Sequence, residues 1–236
     1  MPGLSLCREI TGYASWCDQG KRDGLDLVEN MQSAGLSRQD LHRAALLLDR
    51  DGVINVDHGF VARREDFEWR PGIFRLVGIA AASNIPVVVV TNQTGIGRGY
   101  YAQSDFDALT VWMQDAFARK GTPIAKVYHC PFHPEATVAE LRASHPWRKP
   151  EPGMLLAARD DLGLDLGKSV MVGDQWSDMI AAQRAGVGTA VLVGDPKTRK
   201  LLPEGVSFPD VICKPDIEAV ARWYAGEVRS AGFIAT

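Results

Sequence analysis

The sequence predicts an α/β domain: a Rossmann-like, doubly wound, mainly parallel sheet flanked by helices. Three observations predict it. From Ala44 onward, short apolar runs alternate with amphipathic helical segments, the pattern of a sheet with crossover helices. The runs are unbroken rather than alternating, as strands buried on both faces are. Several of them end abruptly in polar residues, where the ligand crevice of an open parallel sheet lies.

Strand one is read at Ala45 to Leu48, ending in Asp49-Arg50-Asp51-Gly52. Asn55 to Arg70 follows as an irregular polar and aromatic flap. Pro71 and Gly72 open a helix in which Ile73, Leu76, Val77, Ala80 and Ala81 recur at helical spacing. Strand two, Pro86 to Val90, leads into Thr91-Asn92-Gln93-Thr94-Gly95-Ile96-Gly97-Arg98-Gly99. Ser104 and Asp107 then read as a capping box, with Phe106, Leu109, Met113 and Phe117 on one face and Gly121 as the stop. Strand three, Ala125 to Tyr128, is followed by a long loop, His129 to Pro152. A helix from Gly153 to Leu162 precedes strand four, Ser169 to Val172. Gly173-Asp174-Gln175-Trp176-Ser177-Asp178 then opens a helix to Ala185. Strand five is Thr189 to Val193, an edge strand lies at Val211 to Cys213, and a last helix runs from Asp216 to about Val228.

Residues 1–43 are polar, with no sustained period, and read as an N-terminal extension carrying two short helices; residues 44–236 form one domain. A net charge of −3 with scattered Lys and Arg gives no reason to expect nucleic acid or an anionic membrane as partner. The four cysteines are far apart, which argues against a disulfide framework and for a reducing, cytoplasmic setting. No export signal and no run near the roughly 20 apolar residues of a membrane span is seen. A monomer acting on a small molecule is expected.

Four polar clusters can reach one rim: Asp49/Asp51, Thr91/Asn92/Gln93, Arg148/Lys149 and Asp174/Asp178. Each alone has a plain reading. Asp51-Gly52 and Thr91-Asn92 could be turns, Lys149 a solvated charge, and Asp174 and Asp178 acids at a helix N-terminus. Together, converging carboxylates would repel by about 4 kcal/mol for two charges about 4 Å apart at an effective dielectric near 20. Such a cluster calls for a cation. Oxygen ligands with little histidine favour Mg²⁺, which binds through one or two carboxylates and a substrate phosphate.

Asp49-Arg50-Asp51-Gly52, Thr91, Lys149 and Gly173-Asp174-x3-Asp178 resemble, in order, the four motifs of the haloacid dehalogenase (HAD) superfamily of phosphatases. Within it, Asn55-Val56-Asp57-His58-Gly59, the stretch Thr91 to Tyr100 and Arg148-Lys149-Pro150 resemble the D-glycero-D-manno-heptose 1,7-bisphosphate 7-phosphatases, whose nearest relatives are histidinol phosphatases. The resemblance implies a HAD-like fold without a separate cap domain. It also implies Mg²⁺-dependent hydrolysis of a sugar phosphate through an aspartyl phosphate. Asp49 is then the nucleophile and Asp51 the acid and base, with Mg²⁺ held by Asp49, the Asp51 carbonyl and Asp174, oriented by Asp178. Thr91, Asn92 and Lys149 are implied to hold the phosphoryl oxygens. Arg50, Gln93 and Thr94 are further substrate-site candidates; Arg148 and Arg98 would grip a second phosphate or a hydroxyl, and Asp57 and His58 would touch the sugar.

The family carries a structural zinc in the loop after strand three, with ligands in Cys-x-His and Cys-x-Cys arrangements. Here Cys130 stands, but Phe132 occupies the histidine position, and His145 and Trp147 occupy the cysteine positions. Cys130, His133 and His145, with His129 or water, are the remaining Zn²⁺ set. The preferred expectation is a metal-free loop packed by Phe132 and Trp147, since structural zinc takes four protein ligands. Two other classes fit the residues less well. Gly95-Ile96-Gly97-Arg98-Gly99 resembles a dinucleotide-binding turn but lacks its glycine order. A catalytically silent HAD-fold binding protein is opposed by the intact Asp49, Asp51, Lys149 and Asp174.

Overall fold

The computed structural model describes residues 43–194 and 211–230. The N-terminal extension read at residues 1–43, with its two short helices, lies outside the described residues except for Arg43, as do Cys7, Cys17 and the loop beyond Gly194.

The described strands form one sheet of six, in the order β3-β2-β1-β4-β5-β6. They are β1 Leu46–Leu48, β2 Val87–Asn92, β3 Lys126–Cys130, β4 Val170–Gly173, β5 Thr189–Val193 and β6 Val211–Lys214. Every neighbouring pair is parallel, and β1 lies between β2 and β4, with Leu48 opposite Val89 on one side and Val172 on the other. Alternate side chains of these unbroken runs serve opposite faces. Leu46, Leu48, Val87 and Val89 pack with Ile73, Leu76 and Val77 of α1 (Ile73–Ala82), Met113 and Phe117 of α3 (Gln103–Ala118), and Val220 and Tyr224 of α6 (Ile217–Ser230). Leu47, Val88 and Val90 pack with Met154 and Leu155 of α4 (Gly153–Leu162) and Met179 and Ala182 of α5 (Trp176–Ala185). Helices therefore cover both faces of a parallel, doubly wound α/β sheet. Leu47 is wholly buried, so truncating it to alanine costs about 2–5 kcal/mol.

The helices at 153–162 and 176–185 and the strand at 189–193 lie where the sequence puts them. Strand two runs on through Thr91 and Asn92 because both pair with β3, opposite His129 and Cys130. One reading is corrected: α3 begins at Gln103, and the Asp105 carboxylate accepts the Ala102 N–H at 2.8 Å, so Ser104 and Asp107 form no capping box. Gly95 lies in a one-turn helix, α2 (Thr94–Gly97), that periodicity is too short to signal.

The flap after β1 is tied down at both ends. Val56 N–H donates to Glu68 O at 2.8 Å, Arg70 N–H donates to Ile54 O at 2.9 Å, and Val61 and Phe67 are buried. Its Phe67 and Trp69 rings pack edge-on or tilted against each other and against Trp112 of α3. No helix among the described residues is long and apolar enough to cross a membrane.

Candidate active site

Because β1 sits between β2 and β4, the residues just past these strands meet at one rim. Asp49, Asp174 and Asp178 are buried there, and each offers a carboxylate oxygen within 4.8 Å of the others. Among the described residues, no other group of three or more such side chains gathers in this way. Two glycines make the approach possible. A Cβ at Gly52, whose φ is +81°, would stand 2.4 Å from the Asp174 carboxyl carbon, and one at Gly173 would stand 2.3 Å from the Asp178 Cβ.

Lys149 lies among these acids, almost fully buried. Its Nζ is 3.0 Å from Asp49 Oδ1 and 2.6 Å from Asp178 Oδ1, and it donates to Val90 O at 2.8 Å. Burial alone would lower this ammonium, but Asp178 and Asp49 more than offset it and the pKa is raised, so the lysine is charged. Burial pushes the Asp49 carboxyl well above the usual carboxylate range; Lys149 opposes this, and Asp178, Asp174 and Asp51 add to it. One ammonium among three acids leaves negative charge to be balanced, and an oxygen-only donor set suits a hard divalent cation.

Asp51 is held from behind. Arg50 Nη2 donates to both its oxygens at 2.9 Å, Asn55 Nδ2 to Oδ1 at 3.0 Å and Gln93 Nε2 to Oδ2 at 3.0 Å. Gln93 Nε2 also donates to Thr91 Oγ1 at 2.8 Å, and the Tyr101 hydroxyl donates to Gln93 Oε1 at 2.6 Å, which fixes the amide.

A cavity of about 240 Å³ opens onto this rim, lined by Asp49, Asp51, Asp57, Thr91, Asn92, Gln93, Thr94, Lys149, Asp174 and Asp178. Phe60, Tyr101, Gln175 and Ser177 also line it and were not singled out from the sequence. Gln175 and Ser177 lie inside Gly173-Asp174-x3-Asp178, so their place was legible there; nothing marked Phe60 or Tyr101.

Other expected residues are not brought to this cavity. Arg50 is 1% exposed, with its guanidinium beneath the flap on Asp51 and Val61 O. Burial of a charge is affordable here because its partner is a carboxylate. His58 pairs with Glu68, 3.1 Å away, and lines a second groove of about 620 Å³ walled by the flap's own residues. Arg98 lies 3.9 Å from Glu135, and Arg148 Nη1 donates to Phe132 O at 3.4 Å; neither lines the cavity. Asn92 does line it, but its side-chain amide is spent on a reciprocal pair of 3.0 Å hydrogen bonds with the Lys149 backbone. The zinc set is not gathered: His145 lies flat on Phe132, with centroids 4.2 Å apart, and its Nδ1 accepts the Trp147 N–H at 3.1 Å, while His133 Nδ1 accepts the Glu135 N–H at 3.0 Å. Cys130 is buried, with its thiol pushed up to about 11, mainly by that burial.

Comparisons with known proteins identify the family. A family model described as HAD-hydrolase-like matches residues 146–214. The chain is 52% identical over 151 residues to a D-glycero-alpha-D-manno-heptose-1,7-bisphosphate 7-phosphatase of Burkholderia mallei, covering 64% of this chain and 80% of that one. It is 46% identical over 166 residues to a D-glycero-beta-D-manno-heptose-1,7-bisphosphate 7-phosphatase of Escherichia coli K12, covering 70% and 86%. The crystal structure of a D,D-heptose 1,7-bisphosphate phosphatase from B. bronchiseptica, complexed with magnesium and phosphate, superposes with a TM-score of 0.66 at 29% identity, covering 78% of this chain and 99% of that one. The chain belongs to the HAD-like phosphatases, in the family of the heptose-1,7-bisphosphate 7-phosphatases.

Proposed function

We propose that this chain hydrolyses the 7-phosphate of a D-glycero-D-manno-heptose 1,7-bisphosphate with Mg²⁺ as cofactor. The observation that carries the reading is the convergence of buried Asp49, Asp174 and Asp178 around Lys149, with Asp51 beside them at the cavity floor. The names of the relatives supply the substrate.

Asp49, Asp174 and the Asp51 carbonyl would hold the ion, with Asp178 orienting them. When bound, the ion neutralises charge that gathers on the phosphoryl oxygens. Asp49 attacks phosphorus, and the bond to the sugar oxygen breaks as Asp51 gives that oxygen its proton. Asp51 then takes a proton from water, the water oxygen attacks phosphorus, and the Asp49 carboxylate is released with inorganic phosphate. Arg50, Asn55 and Gln93 keep Asp51 in place for both transfers, a supporting role for Arg50 rather than a contact with substrate. Lys149 and Thr91 hold the phosphoryl oxygens, and Asn92 positions Lys149 through its backbone. Asp57 lines the cavity where the sugar would lie.

The test is phosphate release from both anomers of the heptose bisphosphate, histidinol phosphate and a nucleoside monophosphate. It is run with Mg²⁺, with chelator, and with Asp49→Asn. Preference for a heptose bisphosphate, loss on chelation and loss in Asp49→Asn are expected. Preference for histidinol phosphate overturns the substrate, and turnover surviving in Asp49→Asn overturns the mechanism.

A further inference from the structure

We propose that Phe60 and Tyr100 form an aromatic lip at the cavity mouth that seats the carbon-bound face of the substrate's sugar ring. The proposal rests on the heptose reading above. Phe60 and Tyr100 are 47% and 60% exposed, and with Val111 they make up the exposed large hydrophobic side chains among the described residues. Single exposed aromatics are ordinary. These two come from separate segments, the flap and the turn after α2, and meet edge to face with centroids 4.6 Å apart. Phe60 lines the cavity that holds Asp49.

The lip is built from beneath. Phe60 has a φ of 55°, in the left-handed region that costs a bulky residue about 1–2 kcal/mol. Its neighbours hold it there: Gly59 N–H donates to Asp57 Oδ1 at 2.9 Å, and Val61 O accepts from Arg50 Nη2 at 2.7 Å. On the facing segment, Tyr100 N–H donates to Gly95 O at 2.9 Å, and the next residue, Tyr101, is pinned through its hydroxyl to Gln93. Strain of this kind persists where the surroundings impose it, and it clusters at ligand clamps. Rings fixed before the ligand arrives lose little entropy on binding. An aromatic face complements the C–H face of a pyranose, whose hydroxyls stay at the ring edge in water, while the polar cavity below takes the phosphoryl group.

The test compares kcat/KM for the heptose bisphosphate with kcat/KM for acetyl phosphate, which has no sugar, in the parent chain, Phe60→Ala, Tyr100→Ala and the double variant. Covering about 50 Å² of apolar surface corresponds to about tenfold in affinity. Each single variant is therefore expected to lower the heptose-to-acetyl-phosphate ratio about tenfold, through KM more than kcat. The double variant is expected to lose less than the product of the singles, because the rings act as one surface. Phe60→Leu and Tyr100→Leu keep apolar bulk without a ring face, and give the same readout if an alanine variant fails to fold. Unchanged ratios, or equal losses on both substrates, overturn the lip alone. A parent chain that consumes acetyl phosphate but not the heptose bisphosphate overturns the substrate reading, and the lip with it.

Discussion

Replacing Lys149 with methionine should destabilise the protein by about 3–5 kcal/mol in chelator, and by clearly less in Mg²⁺. The ammonium is 3.0 Å from Asp49 and 2.6 Å from Asp178, and all three side chains are nearly out of water. Methionine fills much of the same volume but leaves two buried carboxylates without their counter-charge. Removing one partner of a buried ion pair costs about 3–5 kcal/mol. In a folded unit of about 150–250 residues, each kcal/mol moves the midpoint by about 2–4 °C, so a fall of about 10 °C is expected. A divalent ion bound by the native state returns about 2.7 kcal/mol at a hundred times its Kd. It should return more in the variant, where it no longer competes with an ammonium for the same acids. Thermal unfolding of parent and variant, each in chelator and in Mg²⁺, measures both quantities. An unchanged midpoint in chelator, or the same loss with and without Mg²⁺, would refute the charge balance argued for this site.

Gly173→Ala should cost about 1–3 kcal/mol and weaken Mg²⁺ stabilisation, because the new methyl meets the Asp178 side chain; denaturant midpoints with and without the ion read both effects. Cys130 should resist alkylation in the folded protein at pH 8, with the exposed Cys213 labelled before it, and elemental analysis should find far less than one zinc per chain; peptide mass spectrometry locates the label. His129, partly buried against the Phe106 ring, has its pKa lowered to about 4 from an ordinary 6.5, chiefly by desolvation. It is neutral in the folded state, while the unfolded chain takes up a proton below pH 6.5. Its contribution is therefore complete above that pH and lost as pH falls toward 4, by at most about 3 kcal/mol. His129→Gln should flatten that part of the stability–pH curve.

Much of the frame was legible because a strand buried on both faces must be apolar throughout. Val87 to Val90 and Val191 to Val193 show this in their residues alone, and the acids that follow the strands showed where chemistry would lie. Where the contacts differ from a simple reading, one cause recurs: sequence reports that a side chain is polar, not which way it faces. Arg50 read as a substrate-site candidate, yet its guanidinium is buried against the carboxylate beside it and the Val61 carbonyl. His58 read as a sugar contact, yet it turns to Glu68. Asn92 read as a phosphate donor, but it completes two bonds to a backbone segment far along the chain, which no local pattern announces. The α3 start was misplaced because any acid near a helix entrance can cap it, and Asp105 does. Tyr101 carried no signal, since its partner amide is met only after the turn closes.

The central place of β1 has a consequence during synthesis. Asp49 leaves the ribosome early, while β4, which must dock beside it before Asp174 can face it, is made much later. A growing polypeptide can thus fold α1 onto its first two strands and still be chemically inert. The carboxylate cluster is complete only once β4 pairs with β1. A fragment ending before β4 should neither release phosphate nor gain thermal protection from magnesium, however well its remaining strands associate.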